Sequence, residues 1–178
     1  MAFDTYVYFP AKGAAGTEVK GETQDSDMAK KNAFEIFSFS WGASNPVTIG
    51  SASGGAGAGK ASLSSFSVMK KTDTASPSLF KACCIGDHFP DMVVVLRKAG
   101  GATATDNVFI TYSFKMVYID SVQWSGSSGG DDTPTESVSF AFGACKIEYK
   151  KQDATGKLAA AGEQSWSVVT NKAEFAVA

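Results

Sequence analysis

Val108-Phe109-Ile110-Thr111-Tyr112-Ser113-Phe114-Lys115-Met116-Val117-Tyr118-Ile119 decides the fold. Alternation places Val108, Ile110, Tyr112, Phe114, Met116 and Tyr118 on one face, with Thr111, Ser113 and Lys115 in the middle of the other. That is the period of a strand with a core on one side and a wetter environment on the other. At about 3.3 Å per residue the stretch spans roughly 40 Å, about twice an ordinary strand, so it must bend round a barrel or project beyond it. Working outward, 6–9, 34–41, 63–68, 92–97, 137–149 and 165–169 are also β-rich and are separated by turn-rich stretches. One helix stands out: Ser76 as cap, Pro77 in the first turn, Leu79 and Cys83 in line beside Phe80 and Cys84, and Gly86 closing it after about ten residues. The expectation is a small closed barrel with extensions, the helix plugging one opening or edge.

The chain's 178 residues fit one domain, and a chain of that size buries roughly 70% of the surface its unfolded form exposes. Sixteen basic against 18 acidic groups give no field that favours nucleic acid or an anionic membrane. No apolar run approaches the roughly 20 residues of a membrane span, and the start, Met1-Ala2-Phe3-Asp4-Thr5-Tyr6, has neither a charged nor an apolar leader region. A protein made in the cytosol, and exported if at all without a cleaved signal, is expected. Cys83, Cys84 and Cys145 are too few for a zinc site and read as small buried hydrophobes, while their odd number argues against a disulfide framework.

Gly54-Gly55-Ala56-Gly57-Ala58-Gly59-Lys60 mimics a phosphate-binding loop but lacks its chemistry. Ala61 stands where a hydroxyl should hold Mg²⁺, and Ser62-Leu63-Ser64-Ser65-Phe66-Ser67-Val68 is no helix. The run reads instead as part of a long connection, 42–59, matched by a second at 125–134; such lengths in a compact domain are functional or disordered. A third polar stretch, 11–32, has room for a short strand around Val19. His88 sits in Gly86-Asp87-His88-Phe89-Pro90, read as a tight turn; a functional reading would pair it with Asp87 or with Cys83 or Cys84 upstream, but neighbours in sequence do not make a triad. Asp131-Asp132 with Thr133, Pro134 and Glu136 does not match the ligand pattern of a calcium loop, and Trp41, Trp124 and Trp166 are read as packing residues. No catalytic residue, no cofactor and no metal is assigned.

Several motifs occur in a recognisable order: Phe37-Ser38-Phe39-Ser40-Trp41-Gly42; the glycine run ending at Lys60; 67–71; Ser76-Pro77-Ser78-Leu79 with Cys83; Gly86-Asp87-His88-Phe89-Pro90; Leu96-Arg97-Lys98-Ala99-Gly100-Gly101; and Gly129-Gly130-Asp131 with Thr135-Glu136-Ser137-Val138. Together, over about 18–169, they resemble the Hcp (haemolysin-coregulated protein) family, the inner-tube protein of the bacterial type VI secretion system. Stretches 11–16 and 25–32 look longer than that family usually carries. The resemblance implies a compact antiparallel β-barrel, mainly β, with one short helix on its side and long extended loops. It further implies hexameric rings that stack into a hollow tube, driven out by a contractile sheath, tipped by a VgrG-type spike and able to carry small effectors in the bore. Family members with an enzymatic task carry an additional C-terminal toxin domain; this chain, read as a single domain over 1–178, is expected to have none.

The residues are compatible with that reading. The 42–60 connection, with Gly42, Gly54, Gly55, Gly57, Gly59 and Lys60, is long enough to order on contact between rings, its lysine meeting a carboxylate of the neighbour. Ser38 and Ser40 alternate against Phe37, Phe39 and Trp41, so they form a small polar face suited to a lumen. Two other classes of function compete. One is a non-catalytic β-sandwich carbohydrate-binding module, motivated by the tryptophans and the Asp-rich loop; the other is a nucleotide hydrolase using Lys60, which the missing hydroxyl disfavours.

Overall fold

A computed structural model describes residues 3–48, 57–98, 107–127, 133–154 and 156–178. Its main element is an antiparallel sheet built from β1 (Phe3–Tyr8), β2 (Phe34–Glu35), β3 (Ser38–Ser40), β8 (Phe66–Lys71), β9 (His88–Lys98), β10 (Val108–Ser125), β11 (Thr135–Gln152) and β12 (Leu158–Ser167). The path runs β2-β1-β9-β10-β11-β8-β3, with β12 added beside β11. Four two-residue strands, β4 (Ala43–Ser44), β5 (Val47–Thr48), β6 (Gly57–Ala58) and β7 (Ser62–Leu63), lie between β3 and β8. The two ends of the path are successive pieces of one segment. Between β2 and β3, the Ile36 N–H donates to the Thr5 carbonyl (3.1 Å) and the Phe37 N–H to the Met69 carbonyl (2.9 Å).

The decisive strand is longer than its pattern implies: β10 runs 18 residues, and so does β11. It does not keep one face throughout. Phe114 is buried, but beyond it Val117 and Ile119 enter the core, while Met116 is exposed and Tyr118 half-buried, which corrects the expected inward placement of both. The cause is local. Met116 has φ 53°, the left-handed region, and one residue out of extended geometry exchanges the faces of everything after it. Gly143 stands at this bend: a Cβ there would lie 2.9 Å from Val177 Cγ1 and 3.2 Å from Met116 Cβ. The β10–β11 register is kept across this bend and shifts between Ile119 and Ser121. The bends let β10 and β11 serve two regions, since the start of β11 pairs with β8 and its later part with β12.

The core between these regions is aromatic. Phe34, Phe66, Phe89, Phe114 and Phe140 are fully buried with Leu79, Met92, Val7 and Val94, each contributing about 1.5–3 kcal/mol by leaving water. Phe66 lies 5.1 Å from Phe114 and 5.5 Å from Phe39, and Trp41 meets Phe114 edge-on at 5.5 Å.

The helix α1 covers Ser76–Ile85 and ends at Gly86, whose N–H reaches the Ala82 and Cys83 carbonyls. Ser76 is its first residue and not its cap. The Asp73 carboxylate accepts the Ala75 N–H (2.9 Å), while Ser76 Oγ accepts the Asp73 N–H (3.0 Å). Only Ser76, Leu79 and Ala82 of the helix are buried; Cys84 and Phe80 face solvent, so among the cysteines the buried-hydrophobe reading holds fully for Cys145 alone.

The 11–32 stretch holds no strand: Val19 is buried without one, and a short 3₁₀ turn covers Ala29–Lys31. Side chains hold it in place instead. Asp87, itself buried, accepts the N–H groups of Ala15 (2.8 Å) and Thr17 (3.2 Å), and Arg97 pairs with Asp25 at 2.8 Å. The expected tight turn at 86–90 is instead the entry to β9, where exposed Pro90 is tolerated because β9 there has β10 as its only paired neighbour.

Candidate functional site

The described residues of the connection between β3 and β8 form strand pairs and not an irregular loop. Ala43 pairs with Leu63 and Ser44 with Ser62, then Val47 with Ala58 and Thr48 with Gly57, prolonging β3 and β8 as a two-stranded ribbon. Ser64 closes its base, donating its N–H to the Gly42 carbonyl and accepting the Gly42 N–H on its Oγ, both at 3.0 Å. Further out the Gly59 N–H meets the Pro46 carbonyl at 2.9 Å. Only glycine permits that approach, because a Cβ at Gly59 would lie 2.6 Å from the Pro46 ring. Gly57 and Ala58 of the stretch that mimics a phosphate loop therefore enter a strand pair, and β7 follows Lys60 where a nucleotide site needs a helix. Gly42, Gly59 and Lys60 are exposed, Gly57 lies in β6, and Gly54 and Gly55 fall outside the described residues.

Ser38 and Ser40 are exposed, while Phe39 and Trp41 pack on the core. Phe37 breaks the expected alternation: it is 56% exposed, at the junction of β2 and β3 where its N–H donates to the Met69 carbonyl. Ser38 and Ser40 belong to a wider surface. Residues directly opposite in antiparallel strands share a face, so Ser40, Ser67, Ser139 and Ser121 form one row across β3, β8, β11 and β10. Ser38, Met69, Ser137 and Gln123 form the next. Ser67 and Ser139 share a hydrogen bond of 2.9 Å between their hydroxyls. The sequence carried a signal for this row in the alternation of Ser137 and Ser139 against Glu136, Val138 and Phe140; what it lacked was the register that sets those strands side by side.

On the opposite face of the same strands lies a buried charged knot. Lys70 Nζ donates to Glu136 Oε1 (2.8 Å), Asp73 Oδ1 (2.6 Å) and the Lys71 carbonyl (2.8 Å), and Ser76 Oγ also donates to Glu136 Oε1 (2.9 Å). Lys70 and Glu136 are both fully enclosed, which ties β8, β11 and the start of α1 together.

His88 stacks on Tyr118 with ring centroids 5.2 Å apart. Burial pushes the Cys83 and Cys145 thiols up, away from the reactive thiolate. Burial acts to raise the Asp87 carboxyl as well, but the N–H groups of Ala15 and Thr17 favour its charge and hold it below the usual aspartate range. Trp41 and Trp166 line a groove of about 480 Å³ with Leu63 and Ile147, and Trp124 lies edge-on to Phe80 at 5.6 Å. Asp131 and Asp132 lie outside the described residues.

The chain is similar to known proteins over most of its length. Residues 8–149 match the family model described as type VI secretion system effector, Hcp. A curated relative, protein hcp1 of Pseudomonas aeruginosa, is 36% identical over 97 residues, 54% of this chain and 58% of the relative, so the match spans little more than half of that protein. Among solved structures, one described as a type six secretion system protein has a TM-score of 0.84 at 35% identity, covering 97% of this chain and 100% of the other. Hcp1 from Salmonella typhimurium follows with a TM-score of 0.72 at 27% identity, covering 98% and 100%. Sheet, helix and matched residues together place this chain in the Hcp family of type VI secretion proteins.

Proposed function

We propose that this chain is the structural subunit of a type VI secretion inner tube, not an enzyme, in which six copies close into a ring and rings stack into a hollow tube. The observation that carries the proposal is the β3–β8 pair. It carries Ser38, Ser40 and Ser67 on one face beside Met69 and continues at one end into a ribbon, and an isolated two-stranded ribbon is marginally stable without further packing. Stacked rings need unlike surfaces meeting head to tail, and a chain with a projecting ribbon at one end supplies such asymmetry. The barrel is closed where β2 passes into β3 at Ile36 and Phe37, and Ser38, Ser40, Ser67 and Ser139 face the bore, where small effectors ride. The tube assembles in the cytoplasm with a VgrG-type spike and leaves by contraction of a surrounding sheath. Light scattering on the purified protein tests this: a six-chain mass supports the ring, and a single-chain mass at every concentration overturns it.

A further inference from the structure

One long apolar side chain stands among the hydroxyls of the serine rows. Met69 on β8 is 46% exposed and lies directly between Ser38 of β3 and Ser137 of β11, strands about 4.8 Å away on either side, with Gln123 of β10 completing the row. Its neighbours on the same face of β8 are Ser67 and Lys71. Burial alternates along β8 without a break, Phe66, Val68 and Lys70 inward, so the strand's register turns Met69 away from the core. Short side chains flank it across the sheet, and the thioether projects beyond them.

The middle of this wall is uncharged. The next row is Lys71, Thr135 and Ser125, and Lys71 lines a pocket together with Glu22 and Glu35, whose carboxylates offset its charge. At the other end the Asp120 carboxylate accepts the Ser65 hydroxyl at 2.6 Å. A charged group pressed against Met69 and its serines would lose water and gain no counter-charge, whereas an apolar group meets an apolar partner. Methionine suits varied partners, because three rotatable bonds and a polarisable sulfur adapt to aromatic rings and aliphatic chains alike. In one chain a single exposed methionine needs no explanation. In a ring of six it repeats at one height of the bore as a girdle.

Resting on the tube reading above, we infer that Met69 is the residue by which the bore holds its cargo, and that the cargo is a protein presenting uncharged aromatic or long aliphatic side chains. Each contact is weak, and several made at once within one ring give the hold its strength. Because no charge pair is involved, added salt leaves it intact.

The probes are glycine–serine peptides bearing three tryptophans, three glutamates or three lysines, with bound peptide read by equilibrium dialysis and ring mass by light scattering. Rings should bind the tryptophan peptide about threefold or more tighter than either charged one, in low and high salt alike. Met69→Ser should lower that binding about threefold or more with ring mass unchanged, and Met69→Leu should retain it. Undiminished binding of the tryptophan peptide by Met69→Ser rings, or a preference for a charged peptide, overturns the inference and leaves the tube standing. Beads coated with the tryptophan peptide are too wide for a bore and should capture no rings through Met69. Capture that is lost in Met69→Ser would put the serine wall on the outside and contradict the bore itself, as would a single-chain mass at every concentration.

Discussion

Lys70 and Glu136 face each other across β8 and β11, and three residues along, on the other side of the same strands, so do Ser67 and Ser139. Both pairs are polar and both are hydrogen-bonded. They differ in what stands around them. The charged pair is sealed between the sheet and the start of α1 with no water to take over if one member is lost, whereas the hydroxyl pair lies on an open face. The same two strands thus carry an anchor on one side and a presentation surface on the other. The polar pair that matters for folding is the hidden one.

The comparison breaks most directly at the anchor. Lys70→Ala leaves the Glu136 charge enclosed and should cost about 3–5 kcal/mol, a large share of the roughly 5–15 kcal/mol that holds a domain folded. Replacing both members, Lys70→Met with Glu136→Leu, should recover much of that loss, because an apolar pair of similar volume needs no compensation. Denaturant titration checks both. A cost below about 1 kcal/mol for the single variant would show the knot to be less closed than its geometry implies.

Asp87 sharpens the distinction with a pH signature. Its carboxyl is held below the ordinary value by N–H donors in the 11–32 stretch, so its contribution is complete above the unfolded pKa of about 3.9 and fades as pH falls through the lower folded value. Asp87→Asn should cost about 1–3 kcal/mol at neutral pH, and its difference from the natural protein should shrink progressively below about pH 4. A difference that stays constant down to pH 2 would remove the carboxylate from that role.

The open face should respond in the opposite manner. Ser67→Ala or Ser139→Ala should change stability by less than about 1 kcal/mol, since a neutral hydroxyl pair near solvent contributes little net. Ser40→Glu places a charge on the same wall and should alter cargo retention, read by co-purification, more than ring mass. Unchanged retention would take Ser40 out of the lumen. Smallest of all on the body's stability is deletion within the ribbon: removing 50–58 should leave the melting of the body and the ring mass unaltered while weakening stacking. A monomeric product would mean that the ribbon builds the ring itself.

Much of this was legible in the residues. The alternation in 108–119 gave the half-buried strand, and Pro77 and Gly86 marked the helix to its observed length because breakers act locally, although Ser76 proved to be its first residue and not its cap. What escaped reading depended on partners distant in sequence. The exchange of faces at Met116 needs Gly143 and the tail at Val177 packed beside it. The ribbon looked like a loose connection because glycine and serine carry no strand signature, and its register comes from β3 and β8 behind it. Lys70 and Glu136 have the composition of surface residues and enter the core because they find each other there. Of the candidate surface, Ser38 and Ser40 were visible in the local pattern, whereas Ser67, Ser121 and Ser139 joined them only through strand order.

Negative-stain electron microscopy of the purified protein tests the central claim most directly. Annular particles with a hollow centre and six repeats, some lined up in short columns, are the expected result. Compact single particles with no central hole at any concentration would contradict the claim.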